Sequence, residues 1–141
     1  MNELYAILMS WAVLLSGHPT PVQMPDMVTV PHSYLVQAAC RGEECKVMGW
    51  FPPGNTIYLD ERLDPNDSLY AASVVVHEMV HYLQYEARGG RGFINCEDTI
   101  QLEREAYQAQ RDFLVRYGVY QPVGASMHHV GCELTARDEP E

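Results

Sequence analysis

The sequence predicts a single α+β domain, and three segments carry that prediction. A helix is expected over about residues 68–88, "SLYAASVVVHEMVHYLQYEAR", which is apolar on nearly every side and so reads as buried. Residues 102–118, "LEREAYQAQRDFLVRYG", form a second helix with one apolar stripe and one solvated face. Between the N-terminus and these helices, "NTIYLD" (residues 55–60) reads as a strand, with β-branched and aromatic side chains bounded by turn residues.

The remaining elements follow from punctuation. Residues 4–15, "LYAILMSWAVLL", place Leu4, Ile7, Leu8, Trp11 and Leu14 at helical spacing, so residues 1–16 are expected to form a core helix. A cleaved signal is the weaker reading, because the only charge before the run is Glu3 where a basic n-region is required. Residues 16–31 are proline-rich and are expected to be an irregular connection. A short strand or hairpin is expected over residues 36–50, followed by a turn at "PPG" (residues 52–54). "DPNDS" (residues 64–68) supplies a loop and a cap for the buried helix, which stops at Gly89 and Gly90. The second helix is expected to start near Asp98 or Thr99 and to end at Gly118, with coil from Val119 and a flexible acidic tail over residues 133–141. No internal repeat or second domain is visible.

Composition bounds the function. The 141 residues are 47% hydrophobic and 20% charged, with a formal net charge of −10. No basic patch exists to neutralise phosphates, so nucleic acid is a disfavoured partner. The apolar N-terminal run is too short to span a bilayer, and no stable membrane insertion is expected. The four cysteines are Cys40, Cys45, Cys96 and Cys132. Free thiols and a four-cysteine zinc site are both possible. If bridges form, the expected set is Cys40–Cys45, around the polar turn "RGEE", and Cys96–Cys132. Paired cysteines imply a periplasmic or secreted protein, and unpaired ones a cytoplasmic protein.

The buried helix carries an anomaly. Apart from its histidines, Glu78 is the only acidic or basic side chain between Leu69 and Tyr85. An isolated carboxylate there costs several kcal/mol or stays protonated. At about 100° per residue, His77 and His81 stand one above the other, with Glu78 a quarter turn away. A dication on the two imidazoles removes the penalty and gives the carboxylate a task. This is the H-E-x-x-H pattern, in which two histidines bind zinc and the glutamate acts as general base toward water. The bland alternative is a pair of histidines satisfied by core hydrogen bonds.

A catalytic zinc site needs a third protein ligand and an open position. On the second helix, Glu103 lies in the stripe formed by Ala106, Tyr107, Gln110, Phe113, Leu114 and Tyr117. Glu105 lies with Gln101, Gln108, Asp112 and Arg116. Glu103 is therefore the expected ligand and Glu105 a solvated residue. The alternative for Glu103 is an ion pair with Arg104 or Arg111.

"HEMVH" followed by "EREAY", with 21 residues between His81 and Glu103, resembles the gluzincin type of zinc metallopeptidase (HExxH…ExxA). The combination "TIYLDERLD…HEMVHYLQ…C…EREAYQAQ" is similar to a family of small bacterial HExxH proteins, over about residues 49–118. The resemblance implies a zincin-like (minigluzincin-type) domain, with an edge strand beside the cleft and a second ligand-bearing helix. It implies one Zn2+ held by His77, His81 and Glu103, with Glu78 as base. Several gluzincins carry an aspartate four residues after the ligand glutamate; here that position is Tyr107, whose phenol can reach a histidine or a substrate oxyanion. The edge strand would be residues 55–60, with Thr56, Ile57 and Tyr58 pairing with an extended peptide.

The chemistry implied is hydrolysis of a peptide bond in a peptide or protein substrate by water activated at zinc. Tyr107, Tyr117, His128 and His129 are the candidate oxyanion donors. Two alternatives come from other classes. One is a non-catalytic zinc-binding protein with a structural or partner-recruiting role. The other is an effector-type enzyme that depends on a delivery partner.

Overall fold

The computed structural model describes residues 3–92 and 94–132. In chain order these hold α1 (Glu3–Ser16), β1 (Asp26–Val30), α2 (His32–Ala39), β2 (Gly49–Trp50), β3 (Thr56–Asp60), α3 (Leu69–Ala87), α4 (Cys96–Arg116) and a 3₁₀ turn (Ala125–His129). The expected tail over residues 133–141 lies outside the described residues.

Helix α3 is the axis of the fold. The Ser68 hydroxyl accepts from the Ala71 amide at 3.1 Å and starts it. Every residue from Ala71 to Gln84 is buried. Burial on all sides needs partners on all sides, and α1, α4, β2 and β3 supply them. Helix α1 contributes Leu8, Met9 and Ala12 to the core, and its Trp11 ring meets Phe113 and Tyr117 edge-on. The N-terminal apolar run is thus a helix packed on the core. Helix α4 begins at Cys96, two to three residues earlier than expected, because the Asn95 side chain caps it by accepting from the Asp98 amide at 2.9 Å.

The sheet corrects three expectations. Its order is β1-β3-β2, with β1 parallel and β2 antiparallel to β3. Strand β3, expected at an edge, is therefore the middle strand. Ile57 is buried in the core, and the Tyr58 ring lies between Tyr34 and Trp50, 5.4 and 5.6 Å away. Thr56, Ile57 and Tyr58 offer no free strand edge; β2 is the edge strand on that side. The proline-rich connection contains β1, because Pro25 and Pro31 flank "DMVTV" without interrupting its ladder. Of residues 36–50, expected as a strand or hairpin, the first four belong to α2, which buries Leu35, Val36 and Ala39 at helical spacing; residues 40–48 are a loop, and only Gly49–Trp50 is extended. The coil expected from Val119 includes the 3₁₀ turn and is held along α4. Arg111 donates to the Val123 carbonyl at 2.9 Å, and Arg104 donates to those of Met127 and Val130 at 3.1 and 3.3 Å.

Cys40–Cys45 and Cys96–Cys132 are both disulfide-bonded. The first closes the loop after α2, and the second ties the C-terminal segment to the start of α4. No described cysteine is free.

Asp60 fastens the end of β3. It is fully buried and accepts from the Arg62 backbone amide (2.9 Å), from the Arg62 guanidinium (2.7 and 3.0 Å) and from His32 Nδ1 (2.9 Å). The other nitrogen of His32 meets the Cys45 carbonyl at 3.1 Å, which links β3 to the disulfide loop. The Arg62 hydrogen bonds hold the Asp60 carboxyl below the usual carboxylate range, with burial opposing them. Because the folded value is depressed, this stabilisation is complete above the ordinary carboxylate range and is lost as pH falls through the folded value. We predict that Asp60→Asn lowers stability at pH 7 by about 1.5–3 kcal/mol, the scale of hydrogen bonds to a charged group. The deficit should shrink on acidification. Chemical denaturation at pH 7 and pH 3 checks this, and equal stability at pH 7 would refute it.

Candidate metal centre

Helices α3 and α4 bring together His77, His81 and Glu103, whose ligand atoms all lie within 4.8 Å of one another. All three residues are buried. Glu103 Oε1 lies 3.2 Å from His77 Nε2 and in direct contact with His81 Nε2. Glu78 is buried beside them, its Oε2 4.0 Å from His77 Nε2. Glu103 points into the cluster. Glu105, expected to be solvated, is instead half-buried outside it, its Oε1 2.5 Å from His18 Nε2 and accepting from Gln84 Nε2 at 3.2 Å. Arg104 and Arg111 bond backbone carbonyls, so the expected alternative ion pair with Glu103 does not form.

Two glutamines orient the histidines. His77 Nδ1 lies 2.9 Å from Gln110 Oε1, and His81 Nδ1 lies 2.8 Å from Gln84 Oε1. The amide orientation is fixed from behind. Gln84 Nε2 donates to the Leu102 carbonyl at 2.9 Å, and Gln110 Nε2 donates to Ser73 Oγ, whose own proton goes to the Tyr70 carbonyl. Each glutamine therefore turns its carbonyl oxygen to the imidazole, each Nδ1 carries the proton it donates, and each Nε2 presents its second valence to Glu103. This is the outer-shell arrangement a metal-ligating histidine requires. Sequence reasoning missed both glutamines as functional groups. The available signal was an amide in an apolar arc: Gln110 within the α4 stripe, and Gln84 one turn beyond His81.

The site opens to solvent on one side. A cleft of about 410 Å³ is bordered by Met48, Gly49, His77, Glu103, Tyr107 and Met127, among others. A recess of about 100 Å³ adjoins it, reaching Trp50, Phe51, Glu78, His81 and Glu103. Two glycines shape this space. A Cβ on Gly49 would stand 2.9 Å from Val74 Cγ1 and 3.3 Å from Glu78 Oε2, so any side chain there would press on the carboxylate. Gly124, at φ +70°, lets the chain pass over Tyr107, where a Cβ would fall 2.1 Å from the ring. Tyr107 is thereby held with its ring 4.4 Å from that of His77. Of the other expected oxyanion donors, Tyr117 is engaged away from the cluster, its hydroxyl accepting from Trp11 Nε1 at 3.1 Å. The side chains of His128 and His129 lie outside the described set.

The electrostatics follow from crowding these groups together. Burial pushes the Glu78 carboxyl up, while the two imidazoles pull it down. Burial alone would depress His81, but the Glu103 carboxylate against it carries it up to about 9. Glu103, penalised by burial, is nonetheless held far below the carboxylate range by hydrogen bonds from both histidines. Burial raises Tyr107 to about 12, so its phenol keeps its proton and is available as a donor.

No protein-family model, curated protein or solved structure matches this chain. The reading of the site therefore rests on its own chemistry. Two imidazoles with oriented Nε2 atoms, one carboxylate, and an open flank fit a single metal ion bound at about 2.0–2.2 Å per ligand. Without an ion, the Nε2 proton of His81 lies against Glu103.

Two predictions follow from this geometry. Binding an ion must displace the proton on His81, so zinc affinity should rise about tenfold per pH unit up to about pH 9. Calorimetry in buffers of different ionisation enthalpy should find about one proton released per zinc at pH 7; none released would contradict the arrangement. In addition, Glu103→Gln should abolish tight zinc binding. Gln84→Leu and Gln110→Leu should each cost about 10–100-fold in affinity, and Glu105→Gln should cost least. Competition with a chromogenic chelator measures all four, and a larger loss at Glu105 than at Glu103 would reverse the ligand assignment.

Proposed function

We propose that this protein is a zinc-dependent peptide hydrolase of the gluzincin type, acting on a peptide or protein substrate. The observation that carries the reading is Glu78: a buried carboxylate that is not part of the ligand group but stands beside it, at the recess where the site opens. A purely structural metal site has no need of such a group. The open cleft likewise supports hydrolysis over the non-catalytic, partner-recruiting alternative, since a structural zinc site is closed by a fourth protein ligand.

Zinc held by His77, His81 and Glu103 would polarise the scissile carbonyl and acidify a water molecule. Glu78 accepts the proton of that water and returns it to the leaving amine. Its burial suits the task, because a carboxylate lifted above its usual range is the stronger base. Tyr107 donates its phenolic hydrogen toward the developing oxyanion from beside His77. Gln84 and Gln110 keep the imidazoles from turning. Edge strand β2, with Gly49 against the Glu78 carboxylate, takes the role first expected of residues 55–60 and pairs with an extended substrate. The two disulfides support an oxidising, extracytoplasmic compartment, periplasmic or secreted.

Glu78→Gln tests the proposal. The amide keeps the volume and costs less to bury than a charge, so fold and zinc content should be retained. It cannot accept the proton, and the rate should fall by about 10²–10⁴-fold or more. Peptide-library cleavage by wild type and variant, at equal zinc content by elemental analysis, is the measurement. Equal rates would place any activity elsewhere and leave the metal a structural role.

A further inference from the structure

The connection between α1 and β1 reaches the metal centre through a series of hydrogen bonds. His81 Nδ1 lies 2.8 Å from Gln84 Oε1. Gln84 Nε2 donates to Glu105 Oε1 at 3.2 Å, and the same carboxylate oxygen accepts from His18 Nε2 at 2.5 Å. Four side chains from α3, α4 and the connection are thus joined, from a buried ligand out to a histidine whose side chain is 24% exposed. Behind His77 the corresponding series stays inside the core, passing from Gln110 to the fully buried Ser73.

The outer series decides which way the Gln84 amide faces. Its nitrogen donates to the Leu102 carbonyl at 2.9 Å and to Glu105. Turned over, the amide would set its oxygen against both acceptors and offer an N–H to His81 Nδ1. The imidazole would then carry its proton on Nε2, the atom that must meet the metal. Glu105 alone is a weak clamp, because a long side chain at 33% exposure loses rotamer freedom to hold one pose. His18 donates to it from a segment that is itself fixed. Helix α1 ends at Gly17, whose φ of +79° turns the chain and whose amide donates to the Val13 carbonyl at 3.0 Å. The His18 amide donates to Ser16 Oγ at 3.2 Å, and Pro19 restricts His18 to extended conformations. Further on, the Gln23 carbonyl accepts from the Tyr82 hydroxyl of α3 at 2.7 Å.

We propose that His18 is a positioning residue of the metal centre: through Glu105 it holds the Gln84 amide, and with it the His81 imidazole, in the orientation that ligates the ion. The proposal deepens the metal-centre part of the functional reading and rests on it, but not on peptide hydrolysis. It gives the proline-rich connection a task beyond joining α1 to β1. Glu105 becomes a link in that support, and Glu105→Gln is mild because a glutamine there keeps an acceptor for Gln84.

The test uses the full chain, with both disulfides intact, and zinc alone in competition with a chromogenic chelator. His18→Ala should lower zinc affinity by about three- to tenfold, less than the roughly 10–100-fold lost with a group that touches the ligand itself. Glu105→Ala should do the same, and the two together should cost no more than either one. His18→Gln, whose amide can donate to Glu105, should restore most of the affinity. Because the effect passes through Gln84, His18→Ala should change nothing in a Gln84→Leu background. In the zinc-free chain, His18→Ala should shift the Gln84 side-chain amide and His81 ring-nitrogen resonances and leave those of Gln110 and His77 in place. Unchanged affinity in His18→Ala would overturn the proposal. An equal loss in the Gln84→Leu background would do so too, since it would report a general loosening of the fold. No zinc binding by the wild type would overturn the metal centre and the proposal with it. Zinc binding with the expected coupling but no cleavage of any library peptide would uphold the proposal and overturn the hydrolytic reading alone.

Discussion

The constraint on which this structure depends is the burial of three carboxylate and imidazole side chains in a helix that has no solvent face. Helix α3 is enclosed from Ala71 to Gln84, and His77, Glu78 and His81 are enclosed with it. Desolvating such groups without partners costs several kcal/mol each. The fold answers by bringing α4 close enough for Glu103 to meet both imidazoles. Ala106 and Ala109, fully buried on α4, permit the approach. The packing of the two helices and the assembly of the site are therefore one event. A change that separates the helices exposes the charges, and a change that removes Glu103 leaves two imidazoles facing apolar walls.

The choice of glutamine behind each histidine has an electrostatic consequence. A carboxylate at either position would hold the imidazole as firmly, but it would add negative charge to a site that already contains Glu78 and Glu103. An amide carbonyl fixes the same tautomer at no charge, so a single dication at the cluster would balance the carboxylates of Glu78 and Glu103. The amides are in turn fixed by acceptors that cannot donate back, the Leu102 carbonyl for Gln84 and the committed Ser73 hydroxyl for Gln110. Orientation is thus passed outward from the cluster to the backbone of α3 and α4, the most deeply packed elements of the molecule.

How much of this was legible in the sequence depended on whether the signal was periodic or relational. The α3 and α4 helices, the inward Glu103 and the β3 strand were visible, because helical and strand periodicities report which face is buried. The pairing of Cys40 with Cys45 was readable from a short turn. Strand β1 was hidden by prolines that turned out to flank it, and α2 by an eight-residue length too short for its period to stand out. That β3 is central depends on which distant segments pair with it, and no local pattern in "NTIYLD" carries that information. Gly49 and Gly124 look like ordinary loop glycines, and their importance lies in Glu78 and Tyr107, which approach them only in three dimensions.

The two disulfides illustrate the difference between holding a fold and shaping a site. By loop-closure entropy, the Cys96–Cys132 bridge restricts the unfolded chain more than the Cys40–Cys45 bridge does, contributing about 4 kcal/mol against about 2 kcal/mol. The long bridge locks onto α4 a segment that the carbonyl contacts of Arg104 and Arg111 already place, and that segment brings Met127 to the cleft and Gly124 against Tyr107. The short bridge closes only a five-residue separation, yet both of its cysteines border the cleft. Its loop is otherwise held by His32, which joins the Cys45 carbonyl to the buried Asp60. Stability and site geometry are thus divided between the bridges: the longer one restrains the chain as a whole, and the shorter one shapes a wall of the cleft that His77 and Glu103 also line.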